Sequence, residues 1–462
     1  MAKDFEFNLS AGSVVGAAVV LISLFYLYSF ETVTLSTPIA FGDEGFHAGT
    51  PRRMVENMEI PKYFQATPVY AGAYFRPPLP HLVYAGVMLL FGTSDIVTKF
   101  LTPLFSFFTA LVIFLLVKRI HSKEAGLTAS FLYLVTPSII TYNVLVYSEA
   151  PLVFFFSVFL YSFYRYAKER ELKFLITTGI TAGFVAMSKF TGLLVFPLLI
   201  ILFFLTGSDW KKHMKGFAAL FIIALLVGTS FQVREILSYG GLCQPRIPAN
   251  NNCYVGEAPA GTATDGFAGY TQQSGTNLSL IDIGVMNYIQ FGYTVTLFLL
   301  FIAGLFFGLL NKSQDLRSMA VAAIFLFGVL VLQTINARTE DSVRAAMIGV
   351  IPLVALGGVY FSELIMSLLE KRQSKLANQV MAATAVILIA FLAFYGFSIS
   401  MQKISDMKSV KQFSPDYIEA CKWMNDNIPK GSYTINLWGT PCQFYAPKIN
   451  SVWTDLRELP DI

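Results

Sequence analysis

Uncharged apolar runs close to twenty residues long recur along most of the chain, and no other feature limits its fold as strongly. A bilayer core takes about 20 apolar residues per helix. Inside it every backbone N–H and C=O must find a partner, so only helices or closed barrels cross. Runs near 11–30, 100–117, 126–142, 150–164, 174–187, 190–206, 216–230, 289–310, 319–335, 345–363 and 377–400 predict an all-α polytopic membrane protein with about eleven transmembrane helices. Composition agrees: the chain is 55% hydrophobic and 13% charged, with a mean hydropathy of +0.59, far from soluble-domain values. The first run starts with Lys3 against Asp4 and Glu6 and has no clean small-residue cleavage site after it. It reads as an anchor rather than a removed leader.

Lys and Arg in short loops set the orientation. "KRIHSKE" (118–124), "RYAKERELK" (165–173), "KKHMK" (211–215), "NKSQDLRS" (311–318) and "EKRQSK" (370–375) are compact and basic, while 143–149 carries neither residue. This predicts a cytoplasmic N-terminus and an extracytoplasmic C-terminal tail. "LPHLVYAGVMLLFG" (79–92) breaks the parity if it spans, but such a short apolar run is more often interfacial or re-entrant. Residues 31–99 then form one long outer loop. Residues 1–400 make the transmembrane domain, with a second outer loop at 231–288 rich in Gly, Pro, Asn and Thr, and 401–462 make a small extracytoplasmic α/β tail. The inner loops account for the net charge of +4, so no nucleic-acid partner is implied. The expected site of action is the outer face of the plasma membrane.

The chain concentrates its few charges in that first outer loop. "FGDEGFHAGTPRRM" (41–54) places Asp43 and Glu44 at the start of a helix, with His47 on the face of Asp43. The pair suits a helix cap, general-base work on a hydroxyl, or a divalent metal ion. "YFRPPLPH" (74–81) holds Arg76 between Tyr74 and His81, its backbone stiffened by prolines. A pre-set arginine at the membrane surface suits phosphate, or simply lipid headgroups. In "YSEAP" (147–151), Ser148 can cap the next helix and Glu149 lies in its first turn, at a depth where ionisable groups are usually functional. Arg344 in "NARTEDSVRAAMIGVIP" (336–352) can meet a phosphate or pair with Glu340, and Lys189 is a weaker candidate of the same kind. Arg52, Arg53, Tyr74, His47 and His81 complete the set of candidate substrate-binding residues. Metal binding, if any, would fall to Asp43 and Glu149.

Cys243 and Cys253, then Cys421 and Cys442, all fall outside by this topology. Both pairs are candidate disulfides in an oxidising compartment, with free thiols as the alternative. "SPDYIEACKWMNDNIP" (414–429) predicts a helix capped by Ser414 with Pro415 at its first position, and "GSYTINLWG" (431–439) predicts a strand. One helix and one or two strands make too small a core to stand alone, so docking on the membrane domain is expected. No Walker loop, no dinucleotide fingerprint and no metal-type Cys/His spacing is present. Outer acids with membrane-level arginines and no nucleotide fold point to an activated group carried on a lipid phosphate.

On these motifs the sequence resembles the class C membrane glycosyltransferases, in the superfamily of protein O-mannosyltransferases and lipid A aminoarabinose transferases. "GDEGFH", "FRPPLPHLVYAGVMLLFG", "YSEAPLVFF" and "SVRAAMIGVIPLVAL" match, in order, the family's acidic pair, its Pro-Pro-Leu element, its second acid and its late arginine turn. The resemblance implies a polyprenyl- or dolichyl-phosphate sugar as donor. It implies Asp43 as base for an acceptor hydroxyl on a protein, glycan or lipid, with Arg76 on the donor phosphate; Arg344 and Lys189 are donor-phosphate candidates by their position alone. Arg76 stands where the family usually has Lys or His, and Glu149 where it often has Asp. The "WWDYG" motif of oligosaccharyltransferases is absent. A ligase or flippase for lipid-linked glycans and a secondary transporter are the competing readings; the second predicts charges in mid-span and repeated halves, and neither feature appears.

Overall fold

The computed structural model describes residues 11–36, 38–39, 44–61, 63–64, 71–73, 76–206, 210–242, 254–255, 294–334, 344, 347–370, 375–411, 414–436 and 440–453. Helices occupy part or all of each of the eleven expected runs. In order they are α1 (Ala11–Ser36), α2 (Glu44–Asn57), α3 (Leu79–Phe91), α4 (Asp95–Ile120), α5 (Lys123–Val135), α6 (Pro137–Asn143), α7 (Glu149–Glu169), α8 (Leu172–Ala186), α9 (Val195–Thr206), α10 (Trp210–Gly228) and α11 (Ser230–Tyr239). Beyond the second loop come α12 (Val295–Leu310), α13 (Gln314–Thr334), α14 (Met347–Glu370), α15 (Lys375–Lys411), α16 (Pro415–Asn427) and α17 (Thr440–Tyr445).

Among the described residues, four helices are long and apolar enough to cross a membrane: α4, α7, the Met347–Ser367 part of α14 and the Ala382–Gln402 part of α15. A fifth is reached if α10 and α11, bent by 41°, count as one span. The expected run 126–142 is interrupted, because Pro137 cannot donate to the ladder and Thr136 takes an extended conformation ahead of it. The run at 190–206 opens with a 3-10 turn over Phe190–Leu194 before α9 begins. Helix α3 has 13 residues, about 20 Å at 1.5 Å per residue, which is short of a hydrocarbon core about 30 Å thick. Its first half is buried against α2 and α4, while Leu89, Leu90 and Phe91 are exposed.

The bundle has two chemically distinct ends. Three of the basic loops share one of them, tied by Arg119 to Glu169, Lys168 to Asp315 (2.9 Å) and His121 to Glu363 (2.6 Å). This is the pattern a common side for those loops requires. Between the ends the helices pack through small residues. A Cβ on Gly358 of α14 would lie 2.5 Å from the Cα of Ala129 in α5, so these backbones touch in the manner of membrane helices.

The opposite end carries the short elements. β1 (Tyr63–Phe64), β2 (Ala71–Ala73) and β3 (Tyr254–Val255) form an antiparallel sheet in the order β1-β2-β3. Loop 231–288, expected to have little regular structure, thus contributes one strand to the first outer loop. The C-terminal tail holds α16, α17 and the parallel pair β4 (Tyr433–Asn436) and β5 (Asn450–Trp453). Ser414 caps α16, accepting from the Tyr417 N–H at 3.2 Å, and Pro415 is its first residue, as expected. Helix α15 continues to Lys411, beyond its apolar part Ala382–Gln402.

The tail docks on the bundle. Cys421 and Cys442 are joined by a disulfide inside an apolar cluster with Ile418, Phe444, Ile39, Tyr84 and Val146. Arg52 of α2 donates to the Phe444 carbonyl (2.8 Å) and stacks on its ring, and Arg53 donates to the Ile449 carbonyl (2.6 Å). Tyr445 hydrogen-bonds Asp95 at the start of α4 and accepts from the Ile39 N–H (3.1 Å). Cys243 and Cys253 lie outside the described residues.

Candidate functional site

Five segments distant in sequence converge here: the start of α2, the Pro-stiffened entry to α3, the turn before α7, the turn after α8, and Arg344 three residues ahead of α14. Glu44 opens α2 and is fully buried. Its Oε1 accepts from the Val146 N–H at 3.1 Å and lies 3.5 Å from the Lys99 ammonium, itself buried in α4. This carboxylate ties α2 to α4 and to the turn before α7. Lys99, one residue ahead of the expected run at 100–117, was not among the sequence candidates; only the position of Glu44 102 residues from Val146 in sequence, folded back, reveals its partner.

Glu149, the first residue of α7, is also fully buried. Its Oε1 accepts from Arg344 Nε at 2.6 Å and from Lys189 Nζ at 2.8 Å. Its Oε2 accepts from the Ser148 hydroxyl at 3.3 Å. Ser148 therefore does not cap α7: its backbone is already helical, and its hydroxyl turns to the neighbouring carboxylate. Arg344 also stacks on Tyr147, 4.6 Å from the ring centroid. The expected partner Glu340 lies outside the described residues; the partner found is Glu149. With both oxygens engaged and two cations on one of them, Glu149 is poorly suited to a divalent metal. No cluster of three His, Cys, Asp or Glu side chains suited to a metal ion occurs among the described residues.

Arg76 arrives from the other side. Its guanidinium lies over Phe46, 4.9 Å from the centroid, and Nη1 donates to His47 Nε2 at 3.4 Å. His47 Nδ1 in turn lies 2.9 Å from His81 Nε2. The His47 ring meets Tyr147 edge-on at 5.6 Å, linking this arm to the Glu149 arm. Burial holds the His47 imidazole well below its usual range, and the Arg76 guanidinium adds to the effect against a pull from Glu149 in the other direction. Among the described residues Arg76 makes no ion pair with a carboxylate. Lys189 and Arg344 meet on the buried acid Glu149, and His47 links Arg76 to that arm through Tyr147.

Asp43 directly precedes α2 but lies outside the described residues, as does Tyr74. Arg52 and Arg53, expected to bind substrate, are engaged by tail carbonyls. Tyr84 of α3 went unnoticed in the sequence. It is buried with its hydroxyl lacking a hydrogen-bond partner, near Glu44 and Glu149. An apolar-looking helix gave no signal for it beyond its position one turn after His81.

Fold and site together define a polytopic helical membrane protein with Arg76, Lys189 and Arg344 gathered around Glu149 and His47. Residues 75–231 match the family model described as dolichyl-phosphate-mannose-protein mannosyltransferase. The chain is 26% identical over 200 residues to dolichyl-phosphate-mannose–protein mannosyltransferase 1 of Saccharomyces cerevisiae, covering 36% of this chain and 24% of that protein. Its fold is similar to ArnT from Cupriavidus metallidurans, solved bound to undecaprenyl phosphate, with a TM-score of 0.63 at 12% identity over 93% of this chain and 84% of that one. It is similar also to the oligosaccharyltransferase AglB from Archaeoglobus fulgidus, solved with an inhibitory peptide and a dolichol-phosphate, with a TM-score of 0.63 at 13% identity over 94% and 64%. The family match is confined to residues 75–231, and the wider fold is similar to that of ArnT and AglB. The chain spans about a quarter of the length of the yeast relative.

Proposed function

We propose that the protein transfers a single sugar from a polyprenyl- or dolichyl-phosphate carrier to an acceptor hydroxyl on the extracytoplasmic face of the plasma membrane. The observation that carries this reading is the setting of Arg76. It is held by a ring face and an imidazole, with no carboxylate partner among the described residues, in a site that also gathers Lys189 and Arg344 on Glu149. A guanidinium held this way suits an anion, and its fork matches phosphate oxygens. ArnT and AglB were solved with lipid phosphates, which supports a ligand of that class here.

In the proposed reaction the acceptor hydroxyl oxygen attacks the anomeric carbon in line. The bond from that carbon to the phosphate oxygen breaks, and the lipid phosphate leaves with the bonding pair. Asp43, one residue ahead of α2, takes the hydroxyl proton. Arg76, with Arg344 and Lys189, stabilises the charge that grows on the leaving phosphate. Glu149 keeps Arg344 and Lys189 in place. Glu44 is closed off by Lys99 and the Val146 N–H, so its geometry favours Asp43 as the base. The acceptor is a molecule bearing a hydroxyl: protein Ser/Thr, glycan or lipid.

Purified protein in lipid nanodiscs, given dolichyl-phosphate-mannose and related lipid-phosphate sugars, tests the reading. Single-sugar transfer to hydroxyl acceptors is expected from at least one donor. Binding of lipid phosphate unaffected by Arg76→Ala would remove the assignment of the phosphate site.

A further inference from the structure

The His47–His81 pair lies deeper than a surface contact with substrate would require: both rings are almost completely buried, at 2% and 1% exposure. Their geometry fixes where the protons are. Arg76 can only donate, so the His47 Nε2 that meets it must carry a lone pair. The His47 proton then sits on Nδ1 and donates to His81 Nε2 at 2.9 Å, which leaves the proton of His81 on its own Nδ1. We propose that His47 and His81 form a one-way hydrogen-bond relay that aims the Arg76 guanidinium, making His81 a positioning residue for the donor phosphate without touching it. The inference rests on the reading of Arg76 as a phosphate ligand.

The relay works in one protonation state only. A proton on His47 Nε2 would face the Arg76 guanidinium directly, and a proton on His81 Nε2 would face the Nδ1–H of His47. The other groups acting on His47 are Glu149, which favours the charged form, and Arg344 and Lys189, which oppose it. Among the described residues, Phe46 and Tyr147 also make ring contacts with it at 5.1 and 5.6 Å. The Phe46 ring serves both partners, carrying Arg76 on its face and meeting His81 at 5.3 Å. Loss of the relay would leave Arg76 charged and near the site, but no longer aimed.

The chain has four histidines, which makes the proton positions directly measurable. Nitrogen-15 NMR of histidine-labelled protein in lipid bilayers should show His47 as the neutral Nδ1–H tautomer, with the Nε2–H form appearing in Arg76→Ala. Wild-type His47 found charged at neutral pH, or carrying its proton on Nε2, overturns the relay. Binding of dolichyl-phosphate-mannose, a diester that does not itself titrate near neutrality, supplies the second arm. His81→Phe should weaken binding about tenfold. His81→Gln, whose amide oxygen can accept from His47, should recover most of that loss. Wild type that binds the lipid with His81→Phe equal to it overturns the relay while the phosphate reading stands. Wild type that binds no lipid phosphate, with the tautomer in place, overturns the phosphate reading and with it the purpose assigned to the relay.

Discussion

Glu149 and Arg344 are 195 residues apart in sequence and 2.6 Å apart in the fold. The contact joins the first turn of α7 to the turn before α14, and Lys189 from the turn after α8 closes on the same oxygen. A buried carboxylate bridging two cations from two other segments is costly to desolvate, and removing one partner leaves a charge stranded. Its place at the pocket, not its contribution to stability, accounts for it best.

A double-mutant cycle checks this bridge. Glu149→Gln and Arg344→Gln should each lower stability and turnover. The double variant should lose less than the two together, by a coupling of roughly 0.5–3 kcal/mol. Arg344→Lys should not restore activity, because lysine keeps the charge but loses the Nε contact and the stack on Tyr147. Strict additivity of the two single variants would show that the contact is not made in the working protein.

The pH dependence of stability follows from His47. Its folded-state pKa is depressed by burial, so below about pH 6.5 the unfolded chain binds a proton that the folded one refuses. Stability is then full above about pH 6.5 and falls as pH drops, by at most about 1.4 kcal/mol per pH unit for this one group. Thermal melts of the protein in nanodiscs between pH 7.5 and 5 should show this fall, part of it from His81, likewise depressed by burial, and His47→Gln should make the fall shallower. An equal slope in both proteins would assign the acid sensitivity elsewhere.

Tail docking gives a third expectation. The Cys421–Cys442 bridge closes a loop over a sequence separation of 21, and by chain entropy its removal costs roughly 3 kcal/mol. Replacing both cysteines by serine should speed tryptic cleavage at Lys422 and Lys430. Arg53→Ala, which breaks the tail's hydrogen bond to α2, should do the same with the disulfide intact. A tail that stays resistant in both variants would mean that the apolar cluster and the hydrogen bonds of Arg52 and Tyr445 hold it.

Much of this was legible in the sequence because it is local. Apolar runs of membrane length become helices, Ser414–Pro415 starts a helix by backbone chemistry alone, and acids beside a bilayer stand out in a chain so poor in charge. Partner choice was not legible. Nothing near Arg344 in sequence says that it meets Glu149, since that depends on how α7 and α14 pack. Lys99 and Tyr84 were hidden for the opposite reason: beside or within apolar runs, a single polar side chain looks like an edge or a core residue. The tail strands carried too little periodicity to show that β5 returns parallel to β4. The contacts of Arg52 and Arg53 with the carbonyls of Phe444 and Ile449 were hidden for the same reason, since those partners lie almost 400 residues away in sequence.

The central claim is that Asp43 abstracts the acceptor proton while Arg76 holds the donor phosphate. Turnover and donor binding measured side by side for Asp43→Asn separate the two roles. Asparagine keeps the shape but cannot take the proton. The account predicts that transfer from a lipid-phosphate sugar falls by roughly 10²–10⁴ while the Kd for that donor stays within a few-fold of wild type. Wild-type turnover in Asp43→Asn would contradict it and return the acidic pair of the first outer loop to the role of a helix cap.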